Sequence, residues 1–314
     1  MDLVATPSNP VPDGATVGQI ETEDGVPLRF ARFAPPPGRK GTVCVFPGRT
    51  EFIEKYFEVV TNLRQRGFAV VVLDWRGQGL SRRALADFRK GHVRRFSDFD
   101  RDLEALMHKV VLPDCPPPYF ALAHSMGGAV LLRSAHQGRR WFDRTVLSAP
   151  MIRLTGRAMS GMARSTARLM RCIGMGGSYI PSGGATAVTS LPFDGNVLTS
   201  DQARYLRTAE IVEANPLLGL GAPTIGWLDS AYTQMTAFAD PSYPRAIRQA
   251  HLIIAAGQDL VVSTPAIEQF AIRMRAGAHV VIPGARHEIL MERDHYREQF
   301  WAAFDAFVPG TPAF

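Results

Sequence analysis

Short runs of β-branched and other apolar residues alternate along this chain with segments of helical periodicity, and that alternation limits the fold more than any other feature. The runs are Thr42 to Phe46, Ala69 to Leu73, Tyr119 to Ala123, Thr145 to Leu147, His251 to Ala255 and His279 to Ile282. Unbroken apolar runs of this length suit parallel strands covered on both faces. Between them, Phe57, Val60 and Leu63 share one face of a helix over Glu54 to Arg66, which Gly67 can end. Ser97 and Asp100 have capping-box spacing ahead of Phe99, Leu103 and Leu106, and Thr264-Pro265 reads as an N-cap with a first-turn proline. A last helix is expected from about Glu292 to Phe307. Strand and helix in alternation imply an α/β fold built on a mostly parallel, doubly wound sheet. The Asp24-Gly25 turn between two β-like segments adds an antiparallel hairpin at its start.

The alternation stops between 151 and 244, where Gly, Met, Ser and Arg are frequent and no clear strand occurs. This predicts a helical cap, residues 151–244, inserted into a core formed by 1–150 and 245–314. A chain of 314 residues, 46% hydrophobic and 20% charged, can bury such a core without covalent staples. Its three cysteines, Cys44, Cys115 and Cys172, are scattered and form no CxxC pair, which argues against a disulfide framework and a zinc site. The start, MDLVATPSNPVPDG, lacks a basic opening and an apolar run of signal-peptide length, and no stretch of about 18 apolar residues follows. A cytoplasmic protein is expected. The formal charge of +6 permits contact with anionic material, but no basic run is interleaved with stacking aromatics, so nucleic acid is not an expected partner.

The strongest chemical signal is residues 119 to 130, Tyr-Phe-Ala-Leu-Ala-His-Ser-Met-Gly-Gly-Ala-Val. A buried strand, a small-residue turn and a helix start are what a nucleophile elbow needs. Ser125 sits at its centre, Ala123 and Gly127 keep the turn free of clashes, and Gly128 allows close helix packing; Ala123 replaces the more usual glycine. The alternative is that Ser125 merely caps a helix. A serine hydroxyl needs a base, and the base needs a carboxylate to fix its tautomer. Asp259 follows one late strand and His287 the next, in the chain order Ser, Asp, His. Asp229 and Asp240 are rival carboxylates inside the expected insertion. His124, next to the serine, is read as a packing or hydrogen-bonding residue. An oxyanion hole requires two backbone N–H donors, each worth on the order of 3 kcal/mol in the transition state. Met126 supplies one, and Arg49, in the loop Phe46 to Glu51, is the candidate for the other. The Arg49 side chain is either a surface group or a contact to an acidic headgroup. Asp74 to Ser81 reads as a turn tied down by its own Asp and Arg.

With those residues in place, the chain resembles the α/β-hydrolase superfamily, and within it the lysophospholipase and monoacylglycerol lipase group, over most of residues 18 to 307. The carriers are Pro47 to Glu51, Asp74 to Ser81, His92-Val93 with Arg95-Phe96, His124 to Gly128, Thr199 to Asp201 with Arg204-Tyr205, Asn215-Pro216, Pro223-Thr224 with Gly226-Trp227, Asp259 to Val262 and His287 to Leu290. Many relatives have His-Gly where this chain has Pro47-Gly48, and the Pro47-Gly48-Arg49 form resembles bacterial lysophospholipases more than monoacylglycerol lipases. The resemblance implies Ser125 as nucleophile, Asp259 as orienting acid, His287 as base, backbone donors at Arg49 and Met126, a lipid or other ester substrate, and no metal or organic cofactor. Small carboxylesters, thioesters or lactones are the competing substrates, and a non-catalytic binding protein on the same scaffold is the competing class. Within 153 to 171 lie five arginines and no acid. In a helix, Arg157, Arg164, Arg168 and Arg171 would share one side, and Met159, Met162, Ala163, Thr166, Leu169 and Met170 the other. That pattern fits weak peripheral contact with a membrane surface, or a lid helix with solvated arginines.

Overall fold

The computed structural model describes residues 2–35, 40–156, 161–181 and 183–309. Its centre is an eight-stranded sheet: β1 (Ala15–Glu21), β2 (Pro27–Phe33), β3 (Thr42–Phe46), β4 (Ala69–Leu73), β5 (Tyr119–His124), β6 (Arg144–Ser148), β7 (His251–Ala256) and β8 (Gly277–Ile282). The strand order is β1-β2-β4-β3-β5-β6-β7-β8. As expected, β1 and β2 form an antiparallel hairpin, and β3 to β8 run parallel.

Alternate residues of β3 explain its unbroken apolar run. Val43 and Val45 enter one core with Phe57 and Val60 of α1 (Phe57–Gln65) and with Phe300 and Phe304 near the C-terminus. Cys44 and Phe46 enter the other, with Phe99 of α2 (Asp98–Leu106). After the short α3 (Leu112–Asp114), α4 (Met126–His136) also packs on this second face. The residues between β6 and β7 form α5 (Gly161–Cys172), α6 (Gln202–Ala214), α7 (Ile225–Phe238) and α8 (Tyr243–Ala246), with no strand among the described residues. The expected core boundary at 244 falls inside α8. Helices α9 (Thr264–Ala271) and α10 (Asp294–Phe307) complete the core.

Three local expectations need correction. The edge strand β8 begins at Gly277, and four of its six residues are exposed; it is the last strand of the sheet, with no described strand paired to its outer side. Ser97 makes no side-chain capping bond; the Asp98 carboxylate instead accepts the Arg95 N–H at 3.1 Å. The N-cap of α9 is Ser263, which leaves Thr264 in the first turn with its hydroxyl donating to the Ala256 carbonyl at 2.6 Å.

The turn after β4 is a scaffold, although Asp74 and Arg76 do not tie to each other. Asp74 accepts from Arg29 Nε at 2.7 Å and from the N–H groups of Ile53 and Leu80. Arg76 reaches Asp102 and Asp24. Arg29, fully buried, also makes a two-pronged bond to Glu54 at 2.8 Å. Removing one partner of a buried ion pair leaves the others uncompensated. Arg29→Met would strand two buried carboxylates, so we expect a loss of about 3–5 kcal/mol, read as a lower denaturant midpoint.

Candidate active site

The end of β5 turns directly into α4, and the backbone of Ser125 takes φ 48° and ψ −110° to make the turn. That region is sparsely populated for residues with a Cβ and is held by its surroundings. Space around it is correspondingly tight. A methyl group on Gly127 would lie 2.4 Å from the Phe46 carbonyl, and one on Gly128 would lie 2.8 Å from Pro150. Two neighbouring loops carry comparable strain, with φ 68° at Thr50 after β3 and 41° at Ala149 after β6.

Ser125, Asp259 and His287 come together as the sequence predicts. His287 Nε2 lies 3.0 Å from Ser125 Oγ, and its Nδ1 lies 2.8 Å from Asp259 Oδ2. The other Asp259 oxygen accepts the N–H groups of Val261 and Val262 at 2.8 and 2.9 Å. Burial works to raise the Asp259 pKa, but His287 and these two donors outweigh it, so the carboxyl is held below its ordinary value. Of the rival carboxylates, Asp229 pairs with Arg171 and Asp240 accepts from Ser242, both away from His287.

Next to the serine, the Gly48 N–H is occupied by the Glu51 carboxylate. The N–H groups of Arg49 and Met126 have no partner among the described residues. A loop N–H and an elbow N–H are therefore both without an internal acceptor among the described residues. The turn after β4 steadies this loop, with Trp75 Nε1 donating to the Pro47 carbonyl at 2.9 Å and Gln78 Nε2 to the Gly48 carbonyl at 2.6 Å.

A buried charge cluster under the site was not foreseen. Glu51 accepts from Lys55 Nζ at 3.0 Å, Tyr56 Oη at 2.6 Å and His124 Nδ1 at 3.1 Å, while Lys55 also reaches Glu288 at 2.6 Å. His124 Nε2 faces the His287 carbonyl at 3.2 Å. Both of its ring nitrogens thus meet oxygens that can only accept, an arrangement that favours the imidazolium, in which both nitrogens donate. Burial opposes that charge, but Glu51 prevails and raises the His124 pKa. Two cations and two carboxylates balance. A group whose pKa is raised on folding contributes stability that is complete below its unfolded value and fades as pH rises through the folded one. His124→Gln should therefore lose more stability, by urea midpoint, at pH 6 than in alkaline solution.

Ser125 lines a cavity of about 720 Å³. Its walls are mostly apolar, with Met162, Ala167 and Met170 from α5 and Ile225, Leu228 and Tyr232 from α7. Of the expected basic helix, α5 covers Gly161–Cys172, while Arg157 and Met159 lie outside the described residues. Arg171 is not on a free face, since it pairs with Asp229 at 2.6 Å and donates to the Arg94 carbonyl. The Arg49 side chain is neither a plain surface group nor paired with an acid. It donates to the Gly221 carbonyl at 2.8 Å and stacks over Trp227 within the cavity wall. No group of three or more His, Cys, Asp or Glu among the described residues could hold a metal ion.

Fold and site together define a serine hydrolase of the α/β-hydrolase superfamily. The family described as serine aminopeptidase, S33, matches residues 37–294, and the chain belongs to it. It is 36% identical over 290 residues to lysophospholipase L2 of Escherichia coli K12, covering 87% of this chain and 82% of that protein. It is 27% identical to a probable lysophospholipase L2 of Haemophilus influenzae, covering 83% and 81%. Among solved structures, a soluble variant of the Saccharomyces cerevisiae monoglyceride lipase in complex with a substrate analogue superposes with a TM-score of 0.73 at 20% identity, over 92% of this chain and 94% of that one. A thermostable carboxyl esterase from Bacillus coagulans gives 0.75 at 17% identity, over 96% and 99%. At such identities these two speak for the fold.

Proposed function

We propose that this serine ester hydrolase, of lysophospholipase and monoacylglycerol lipase type, removes the single acyl chain of a lysophospholipid or monoacylglycerol. Ser125 attacks the ester carbonyl while His287 takes its proton, the N–H groups of Arg49 and Met126 hold the oxyanion, and Asp259 fixes the imidazole. His287 then protonates the leaving alcohol and activates water to release the acid. The observation that carries this reading is the Ser125–His287–Asp259 chain, whose Ser125 and His287 line a mostly apolar cavity with a volume in the ~300–1,000 Å³ range of ligand pockets. The named lysophospholipase relatives support it. The aminopeptidase of the family's description is less favoured, because a substrate ammonium needs a carboxylate. Glu51 and Glu288, which line the cavity, are both committed to Lys55. An ester panel graded by acyl length, with and without a glycerophospho headgroup, tests the proposal. A preference for short, headgroup-free esters, thioesters or lactones would overturn it.

Residues 151–244 act in this reading as a cap over the core of 1–150 and 245–314, with α5 and α7 roofing the cavity. Peripheral membrane contact through α5 belongs to the same proposal. Met162, Leu169 and Ile173 are 79%, 63% and 65% exposed there, beside Arg164 and Arg168, which form no ion pair among the described residues. No helix among the described residues is long and apolar enough to cross a membrane. Arginines near an anionic bilayer contribute about 1 kcal/mol each. Replacing Arg164 and Arg168 by Gln should then lower partitioning onto phosphatidylglycerol vesicles by about thirtyfold; unchanged sedimentation with the vesicles removes the membrane role.

A further inference from the structure

Three arginines, Arg49, Arg83 and Arg89, have no carboxylate partner for their guanidinium groups among the described residues. Arg49 donates to the Gly221 carbonyl, Arg83 to the carbonyls of Phe88 and Leu217, and the Arg89 guanidinium packs under Gly219. The Gly221 N–H in turn donates to the Arg89 carbonyl. One shielded nitrogen of each arginine, Nε of Arg49 and Nη1 of Arg83 and Arg89, has no hydrogen-bond partner among the described residues. Asp87, on the same loop, is occupied by the Tyr179 hydroxyl at 3.1 Å and the Arg89 N–H at 3.0 Å. A guanidinium out of water normally finds a carboxylate or phosphate, because a desolvated, under-partnered cation is costly. Burial lowers the Arg49 pKa only to about 10, so the charge persists at neutral pH.

Of the three, only Arg49 lines the cavity that also contains Ser125, and its backbone N–H is the proposed loop donor of the oxyanion hole. We propose that the Arg49 side chain is a specificity determinant that binds an anionic phosphate on the alcohol side of the ester. In an acyl glycerophospholipid a few bonds separate the ester carbonyl from the phosphorus, a reach comparable with that from the Arg49 backbone to its guanidinium. One residue would thus meet both ends of the reacting unit: the N–H at the developing oxyanion and the guanidinium fork at the phosphate. The inference rests on the proposed lysophospholipase reading and sharpens it, since a neutral monoacylglycerol offers Arg49 hydroxyl groups but no anion.

The test compares kcat/KM for a lysophosphatidylcholine and a monoacylglycerol of the same acyl chain, both below their critical micelle concentrations. Arg49→Gln should lower the ratio of the two by about 10- to 100-fold, through KM, as expected for losing a hydrogen bond to a charged group. Arg49→Lys, which keeps the charge without the fork, should fall in between. If both substrates lose activity in equal proportion, Arg49 acts only through its loop and the inference fails. In parallel, Ser125→Ala protein is titrated calorimetrically with glycerol 3-phosphate and with inorganic phosphate. Binding of glycerol 3-phosphate that Arg49→Gln removes supports the headgroup assignment. Equal binding of inorganic phosphate assigns the site to the free ion and overturns it, as does binding that ignores Arg49. Should the wild type cleave neither lipid, the lysophospholipase reading fails while this titration still decides the role of Arg49.

Discussion

Ser125→Ala should lower kcat on any activated ester by about a millionfold and abolish covalent labelling by a fluorophosphonate. The size follows from the arrangement: without Oγ, His287 has nothing to deprotonate, and only binding and the two backbone donors remain to assist attack by water. The same position gives a stability control. Alanine keeps the Cβ that strains the elbow at φ 48°, so its unfolding midpoint should match the wild type. Ser125→Gly removes that Cβ and should be more stable by about 1–2 kcal/mol while equally inactive. Activity within a hundredfold of wild type in either variant would sink the assignment of the nucleophile.

Asp259→Asn should cost about 10⁴ in kcat with the fold unchanged. The side-chain amide has no freedom to avoid this. The N–H groups of Val261 and Val262, at 2.8 and 2.9 Å, hold one oxygen of Asp259, so in the variant they would claim the amide carbonyl. The NH₂ would then point at His287 Nδ1. That forces the imidazole proton onto Nε2, toward Ser125 Oγ, where the base must be free to accept. A loss of less than a hundredfold in steady-state turnover of a p-nitrophenyl ester would show that Asp259 does not set the tautomer.

The reactive residues were legible because each sits where a local pattern ends. Ser125, Asp259 and His287 each follow an apolar run, and the elbow's small residues follow from what the turn can hold. Strand β8 was legible as a strand but not as an exposed edge, since its composition resembles that of covered strands and only the strand order shows its open side. Helix α7 left no signal because most of its residues are buried, so it has no polar face to set a period. The N-caps Asp201 and Thr224 stand in the segments that carry the family resemblance, yet their role is visible only from their bonds to Arg204 and Trp227. The charge cluster was out of reach for another reason. Lys55 and Glu288 lie 233 residues apart, and neither has a local pattern that sets it apart from a solvated surface charge.

Among the described residues, three other than glycine have positive φ, and these, Thr50, Ser125 and Ala149, follow β3, β5 and β6, which are neighbours in the sheet. Glycine would relax any of the three. A population of variants selected only for resistance to heat should therefore drift toward glycine at these positions and shed activity as it hardens. Durability and turnover pull this molecule in opposite directions at the same few backbone bonds.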